Sequence, residues 1–301
     1  MDRRSAIRHL LVAGAGPFLR AASEESPKYT IRSEVRLVLL DVSVKNSRGG
    51  FVKGLSAGNF RVFDNGHPQS ITVFDSGDEP VTAGILLDES SSMAPVRGAV
   101  VTAALTLVDE SHPHDRVFVL HFNENVQRGL PESVLFSDKI DELRRALAGG
   151  VPQGRTALYD VVIAGLEQLE LSRAGRKTLV VVSDGRDTAS RYKRRDLVHM
   201  VEESPATIYT IGLIDPDNPD RNPGVLEQLA HLSGGEAFFP SDPPRLEAAC
   251  RDIAREIRTR YTLGYVPPVE IGMHSLRKIR VEAIAPGRDK LVVRTRTSYL
   301  S

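Results

Sequence analysis

The fold prediction for this chain starts from the stretch VTAGILLDESSSM, residues 81–93. Its first part, VTAGILLD, is a largely apolar run of strand length that ends in a carboxylate at Asp88. Such a run is typical of a strand buried on both faces of a sheet. Glu89 and three serines follow without a spacer. A simple turn needs no such series of hydroxyls, so the residues after this strand are candidates for binding a ligand.

Outward from this strand, apolar runs alternate with segments of helical spacing. Further strands are predicted at 116–123, 176–184, 206–214 and 236–240. Helices are predicted at 96–110, 137–149, 156–171, 193–204, 224–235 and 244–260. In the helix at 137–149, Ser137 is the expected N-cap and Gly149 the expected stop. This alternation predicts an α/β fold: a doubly wound, mostly parallel sheet with helices on both faces.

The regions on either side of this alternation have the composition of β structure. FRVFD (60–64) and ITVFD (71–75) flank the turn signal DNGHP, and we expect them to form a hairpin. RKIRVEAIAP (277–286) and KLVVRTRTSYL (290–300) also have the composition of strands. Because a lone hairpin is marginal in water, we expect the two regions to pair into one small all-β domain.

The chain is thus predicted to have three parts. Residues 1–26 form an export signal or a disordered tail, 27–79 with 261–301 form the β domain, and 80–260 form an α/β domain inserted into it. The first part has a pair of arginines, a short apolar stretch and then small residues, which partly resembles a twin-arginine signal. That stretch is too short to span a membrane, which takes about 20 residues. We therefore expect an exported protein, periplasmic or extracellular, with a frayed amphipathic tail as the alternative.

Composition argues against several classes of function. The 39 basic and 39 acidic residues give a formal net charge of +0, so no long-range attraction to nucleic acid or an anionic membrane is expected. Cys250 is the single cysteine, which rules out an internal disulfide and a cysteine-based zinc site. Tryptophan is absent and aromatic residues make up 6% of the chain, so we expect no stacking platform for bases or sugars.

Oxygen-bearing side chains follow three segments whose ends should meet at one edge of the predicted sheet. They are Asp88 with Ser90 and Ser92, then Thr156 at the start of a helix, and Asp184 at the end of a strand. Mg²⁺ prefers near-octahedral oxygen ligands and uses few carboxylates. The two aspartates would supply charge and the three hydroxyls neutral oxygens. The sequence therefore predicts a Mg²⁺ site, with Mn²⁺ or Ca²⁺ as alternatives, that leaves one position for water or an outside carboxylate.

These residues resemble the metal ion-dependent adhesion site of von Willebrand factor A-type domains, with its D-x-S-x-S motif, a later threonine and an SDG motif, here at 183–185. The metal residues of that family map onto Asp88, Ser90, Ser92, Thr156 and Asp184. The resemblance implies a doubly wound fold over 81–259 and a non-enzymatic module that captures an Asp or Glu of a protein partner. The flanking stretches FRVFDNGHPQSITVFD and RYTLGYVPP resemble a bacterial subfamily of secreted proteins with this domain, described mainly from Acidobacteria.

Other interpretations of the same residues stay open. Asp88 and the serines can instead cap the next helix. A metal-assisted hydrolase would need a general base, and Glu89 is the nearby unassigned carboxylate, although no His or Lys is expected near it for proton transfer. A metal that only makes the loops rigid is a third interpretation. The stretch 54–58 matches the G-x-S-x-G of serine hydrolases, but a strand is predicted after it where that motif needs a helix, so we expect a turn.

Overall fold

The structure, a computed structural model, describes residues 37–213, 222–267, 275–285 and 290–300. The predicted export segment, residues 1–26, lies outside the described residues. Within the described part of the chain, no helix is both long and apolar enough to cross a lipid bilayer.

Strands and helices alternate through the middle of the described chain and strands dominate both flanks. In chain order, the strands are β1 (Val38–Lys45), β2 (Phe60–Asp64), β3 (His67–Gln69), β4 (Val73–Asp75), β5 (Val81–Asp88), β6 (Arg116–Phe122), β7 (Val126–Arg128), β8 (Arg176–Ser183), β9 (Thr207–Gly212), β10 (Ala237–Phe238), β11 (Tyr261–Tyr265), β12 (Leu276–Ala283), β13 (Val292–Arg294) and β14 (Ser298–Leu300). The helices are α1 (Arg97–Asp109), α2 (Ile140–Ala148), α3 (Leu158–Glu170), α4 (Arg194–Glu203), α5 (Pro223–Ser233) and α6 (Pro243–Arg258).

The largest sheet has six strands in the order β10-β9-β8-β5-β6-β7. Neighbouring strands run parallel except β7, which pairs antiparallel with β6. Every residue of β5 is buried, because helices cover the sheet: α1 packs against α2 and α6, and α4 packs against α3 and α5. Gly84 permits this packing, since a Cβ there would lie 2.3 Å from the ring of Phe118. The predicted α/β, doubly wound, mostly parallel fold is confirmed.

The remaining strands form two four-stranded antiparallel sheets, ordered β13-β1-β11-β4 and β14-β12-β2-β3. Strand β1 pairs with both β11 and β13, so the first described strand is joined to strands from much later in the chain. The apolar side chains of these sheets form a second hydrophobic cluster, which includes Leu40, Phe60, Tyr261 and Leu263. The domain boundaries given above stay a prediction.

The hairpin predicted between residues 60–64 and 71–75 is wrong. Strand β2 pairs instead with β3. The turn between them consists of Asn65 and Gly66, which have positive φ angles of 48° and 83°. A two-residue turn of this kind starts the partner strand at once. Strand β4 is left to pair with β11, so it belongs to the other antiparallel sheet.

Two local predictions had opposite outcomes. Ser137 is not the N-cap of α2, which begins at Ile140, because the backbone of Ser137 already exchanges two hydrogen bonds of 2.8 Å with Val117. Gly149 caps the end of α2 as predicted. The stretch 54–58 leads into a short 3-10 turn and then into β2, which confirms that it is a turn before a strand.

A group of polar side chains joins β9 to β1, and we call it the junction cluster: Lys45, Tyr209, Glu256 and Arg260. The Arg260 guanidinium donates to Glu256 Oε1 and to the Tyr209 hydroxyl, each at 3.0 Å. It also donates to the backbone oxygen of Asp41 in β1 at 3.1 Å. Glu256 Oε2 forms no hydrogen bond, but it lies 3.0 Å from Lys45 Nζ as an ion pair. Arg294 Nη1 lies 3.7 Å from the same oxygen, so the buried carboxylate of Glu256 has three cations of its own chain beside it.

Candidate functional site

The candidate site lies at the carboxyl end of β5 and β8, the edge where parallel sheets bind ligands. Strand β5 ends at Asp88 and its central neighbour β8 ends at Ser183, directly before Asp184. A short 3-10 turn, Ser91–Met93, follows β5. Because the two strands are adjacent and parallel, their terminal side chains emerge side by side.

Hydrogen bonds link four of the five residues predicted as metal ligands. The backbone N–H of Ser90 donates to Asp88 Oδ1 at 2.8 Å, and the two hydroxyls of Ser90 and Ser92 lie 3.1 Å apart. The Ser92 hydroxyl donates to Asp184 Oδ2 at 2.8 Å. Ser183 adds a bond of 2.6 Å from its hydroxyl to Asp88 Oδ2. The turn after β5 and the end of β8 thus form one connected group of oxygens.

Thr156 is the fifth predicted ligand, and its hydroxyl has no partner. The residue is completely buried, and its Oγ1 atom forms no hydrogen bond in the described structure. Its loop contacts the serine turn, since the backbone N–H of Ser91 donates to the backbone oxygen of Gly154 at 3.2 Å. A buried hydroxyl without a partner carries a desolvation cost, which a cation bound to its oxygen would remove.

Burial also disfavours the charge on Asp88. It raises the pKa of the Asp88 carboxyl to about 6, against the opposing hydrogen bonds from Ser183 and Ser90, and the nearby Asp184 adds to the increase. The groups that act on this pKa are hydroxyls, a backbone N–H and a carboxylate, none of them a cation. Asp88 therefore lacks the counter-charge that a buried carboxylate ordinarily requires.

The donor set of this edge suits a hard divalent cation. In the described part of the chain, no three His, Cys, Asp or Glu side chains cluster as a metal site, so a cation here must also use hydroxyls. Two carboxylates and three hydroxyls of the site provide oxygen ligands only, which is what Mg²⁺ and Ca²⁺ prefer. The unpartnered Thr156 hydroxyl and the uncompensated Asp88 fit such an ion.

Glu89, the base that a hydrolase would need, has a partner on each of its two oxygens. It is buried, with Oε2 2.8 Å from Arg97 Nε and Oε1 3.0 Å from His121 Nδ1. His121 Nε2 lies 2.7 Å from the backbone oxygen of Ala146, to which it donates. A Cβ on Gly150 would lie 1.9 Å from Glu89 Oε1, so this loop packs directly on the carboxylate.

The expectation that no histidine lies near Glu89 is therefore wrong. Sequence reasoning missed His121 because it lies inside the apolar run of β6, which gives no sign of its partner. Arg97, at the start of α1, was missed as well. A cavity of about 110 Å³ adjoins this group and is lined in part by Asn123, Gln127 and Gln153. Together, Glu89, Arg97 and His121 attach the start of the serine turn to α1 and β6.

The loop after Asp184 is fixed to the start of α3 by two further carboxylates. Asp160 accepts from the backbone N–H groups of Arg191 and Tyr192, at 2.9 and 3.1 Å. Asp187 accepts from the Ser190 hydroxyl at 2.5 Å and from a backbone N–H of α3. Burial raises the pKa of Asp187. These contacts fix the position of the Asp184 loop relative to Thr156, because the Thr156 loop lies directly before α3.

Comparison with known proteins identifies the six-stranded region. Residues 84–250 match the family model described as "von Willebrand factor type A domain". Among solved structures, the chain is similar to a von Willebrand factor type A protein from Catenulispora acidiphila, with a TM-score of 0.54, 14% identity, and coverage of 80% of this chain and 73% of that one.

A second similar structure is proximal thread matrix protein 1 from the mussel byssus. Its TM-score is 0.50 at 16% identity, with coverage of 65% of this chain and 51% of that one. Identities this low show a common fold and do not transfer function. No curated protein sequence matches the chain.

Proposed function

The chain belongs to the von Willebrand factor type A domain family, and from that premise we propose that it is a metal-dependent module that binds a protein partner. The proposed cation is Mg²⁺, with Mn²⁺ or Ca²⁺ as alternatives, and its ligands are Asp88, Ser90, Ser92, Thr156 and Asp184. When bound, the ion offers an open coordination position to an Asp or Glu carboxylate of the partner. The observation that carries the proposal is the buried, unpartnered hydroxyl of Thr156 in the loop that contacts the serine turn.

Charge supports the same proposal. Asp88 is buried without a cation, and a buried charge is stable only when it is paired or bound to a metal. The oxygens of Ser90, Ser92 and Asp184 are already connected to one another by hydrogen bonds. A cation that binds these oxygens needs little rearrangement of the turn, because hydrogen bonds already hold the oxygens close together.

We propose that the protein is not an enzyme. Metal-assisted hydrolysis needs a group that takes a proton from the bound water, and Glu89 is occupied on both oxygens by Arg97 and His121. A metal that only stabilises the loops is the remaining alternative. It differs from the binding proposal in one respect, since it requires no partner.

Export and subfamily are also part of the proposal. The arginine pair and the small residues at the start of the sequence support export, by the twin-arginine route, to the periplasm or the cell exterior. The flanking motifs support membership of the secreted subfamily described mainly from Acidobacteria. The balanced charge of the chain supports a protein partner and not nucleic acid.

Isothermal titration calorimetry with Mg²⁺ tests the metal site. We expect the wild type to bind, Asp88→Ala to lose binding, and Ser92→Ala to bind more weakly. Ser91→Ala is the matched control, because Ser91 lies in the same turn with an exposed side chain, and its affinity should equal that of the wild type. Equal affinity of Asp88→Ala and wild type would rule out the proposed site.

A second measurement separates partner binding from a purely structural metal. Proteins captured from envelope extract by the immobilised wild type should be released by EDTA, and Ser92→Ala should capture less of them while remaining folded. If chelation lowers the unfolding temperature of the wild type but releases nothing, the metal is structural and the binding proposal is wrong.

A further inference from the structure

Two unpartnered polar atoms of opposite character lie in the loops of the candidate site. In the described residues, the buried side-chain atoms without a hydrogen bond are Thr156 Oγ1, Arg186 Nε, Glu256 Oε2 and Thr295 Oγ1. Thr156 Oγ1 is an oxygen that a cation would satisfy. The N–H group at Arg186 Nε has no acceptor, and only an electron-rich atom can accept its hydrogen bond.

The backbone fixes Arg186 next to a proposed metal ligand. Arg186 follows Asp184 by two residues, and its backbone N–H donates to Asp184 Oδ1 at 3.0 Å. Its Nε atom lies 3.8 Å from Asp184 Oδ2, too far for a hydrogen bond. That carboxylate oxygen already accepts the hydroxyl of Ser92. The guanidinium therefore forms an ion pair with Asp184 but donates no hydrogen bond to it from Nε.

Other arginines of these loops do have acceptors. Arg191 Nε donates to Asp160 at 3.3 Å, and Arg195 Nε donates to Asp196 at 3.2 Å. Arg191 and Arg195 are largely exposed, with 89% and 80% of their side chains accessible, against 28% for Arg186. Arg186 thus combines a partly exposed side chain with a buried, unpartnered Nε, whereas Arg191 and Arg195 are solvated and paired.

We propose that Arg186 is a specificity-determining residue that donates to the same carboxylate that completes the metal sphere. This inference rests on the proposed function. A carboxylate has two oxygens, so one that binds the cation still presents an acceptor to a neighbouring guanidinium. An amide offers a single oxygen and no net charge. The module therefore selects Asp or Glu of the partner over Asn or Gln.

The proposal predicts an electrostatic effect on the two affinities, for Mg²⁺ and for the acidic ligand, that an arginine with only a structural role would not produce. A guanidinium beside the site repels the cation and attracts the carboxylate. Removing it should therefore raise the affinity for Mg²⁺ while lowering the affinity for the acidic ligand. A residue that only stabilises the loop would, when removed, weaken both.

The test compares two capped Gly-Ser peptides that differ in one residue, Glu or Gln, each labelled with an uncharged dye. Fluorescence anisotropy at saturating Mg²⁺ gives their affinities for the full chain. We expect Arg186→Gln to lose at least about tenfold in affinity for the Glu peptide, as for a hydrogen bond between charged groups. Its weak binding of the Gln peptide should not change, and calorimetry should show tighter Mg²⁺ binding.

Two further variants make the result decisive. Arg195→Gln removes the same charge from an exposed side chain nearby and should behave as the wild type. Arg186→Lys keeps the charge without the planar donor, so we expect an intermediate affinity, and it also serves if Arg186→Gln does not fold. If Arg186→Gln and Arg195→Gln bind the Glu peptide equally, or if the wild type does not distinguish Glu from Gln, the inference is wrong. Failure of the wild type to bind Mg²⁺ would instead refute the proposed function.

Discussion

The junction cluster and the candidate site both bury a carboxylate, and they treat it in opposite ways. At the junction cluster, burial of Glu256 would raise its pKa, but Arg260 and Lys45 outweigh burial and lower it. At the candidate site, burial raises the pKa of Asp88 to about 6 with no cation to oppose it. The chain supplies counter-charges to Glu256 but none to Asp88.

This difference is what we expect between a structural ion pair and a carboxylate at the proposed metal site. A buried ion pair with both partners in the chain is complete, and removing one partner leaves the other charge buried and unpaired. A buried carboxylate without a partner already carries that cost in the folded state. Mutations should therefore destabilise the junction cluster, whereas at the candidate site some mutations should stabilise the metal-free protein.

The largest effect is expected at the junction cluster. Arg260→Ala removes the guanidinium beside Glu256 Oε1, and the remaining cations, Lys45 and Arg294, both lie at Oε2. The glutamate side chain is fully buried there. We expect the free energy of unfolding to fall by about 3–5 kcal/mol, measured by urea denaturation. The control is Arg255→Ala in α6, whose side chain is 60% exposed and lies 3.9 Å from Asp252; it should cost under about 0.5 kcal/mol. Similar losses in both variants would contradict the comparison.

The next effect is the pH dependence of the metal-free protein. The folded state holds the proton of Asp88 more tightly than the unfolded chain, with the pKa raised from 3.8 to about 6. The free energy of unfolding should therefore fall as the pH rises from about 4 to above 6, by up to about 3 kcal/mol.

Asp88→Asn isolates this contribution from those of other groups. Urea denaturation in EDTA should show the variant and the wild type diverging over that pH range, with the variant more stable at neutral pH. The gap should close as the pH falls below about 4, because the wild-type carboxyl is protonated in both states only below its unfolded pKa of 3.8. A wild type that is the more stable of the two at pH 7 would show that Asp88 is compensated within the chain.

The smallest effect is expected at Thr156. Thr156→Val keeps the shape of the side chain and removes the unpartnered oxygen. In EDTA the variant should gain about 1 kcal/mol in the free energy of unfolding. The substitution removes a buried hydroxyl that has no hydrogen bond, and with it the desolvation cost of that hydroxyl. Its affinity for Mg²⁺ should fall in the same calorimetric assay. A loss of stability in EDTA would mean that the hydroxyl has a partner in solution.

The sequence predicted the central sheet well for a physical reason. Strands such as β5 are buried on both faces, so they are largely apolar and the end of β5 is marked by its first charged residue, Asp88. The same rule put Asp184 at the end of the neighbouring strand, and the structure connects it to the serine turn through Ser92. That these residues bind a metal stays a prediction.

Features that depend on contacts distant in sequence could not be predicted. The strand at 73–75 has the same alternation whether it pairs with β2 or with β11, and β11 lies after the whole six-stranded region in the chain. The Asn65-Gly66 turn, by contrast, is a local signal that the hairpin prediction did not use. His121 is indistinguishable in sequence from a core histidine until Glu89 is placed beside it. Arg186 is one of several arginines between residues 184 and 196, and only the structure shows that its Nε has no hydrogen-bond partner.

The pairing of β4 with β11 has a mechanical consequence. Residues 76–260 leave from one of these strands and return to the other, with Asp75 opposite Thr262 and Val73 opposite Gly264. Tension that pulls residue 72 away from residue 265 meets this ladder at the Val73 end and must open it before any load reaches the six-stranded sheet. A force between these two residues is thus carried by β4 and β11 first, and it reaches the oxygens at the far edge only after this ladder has opened.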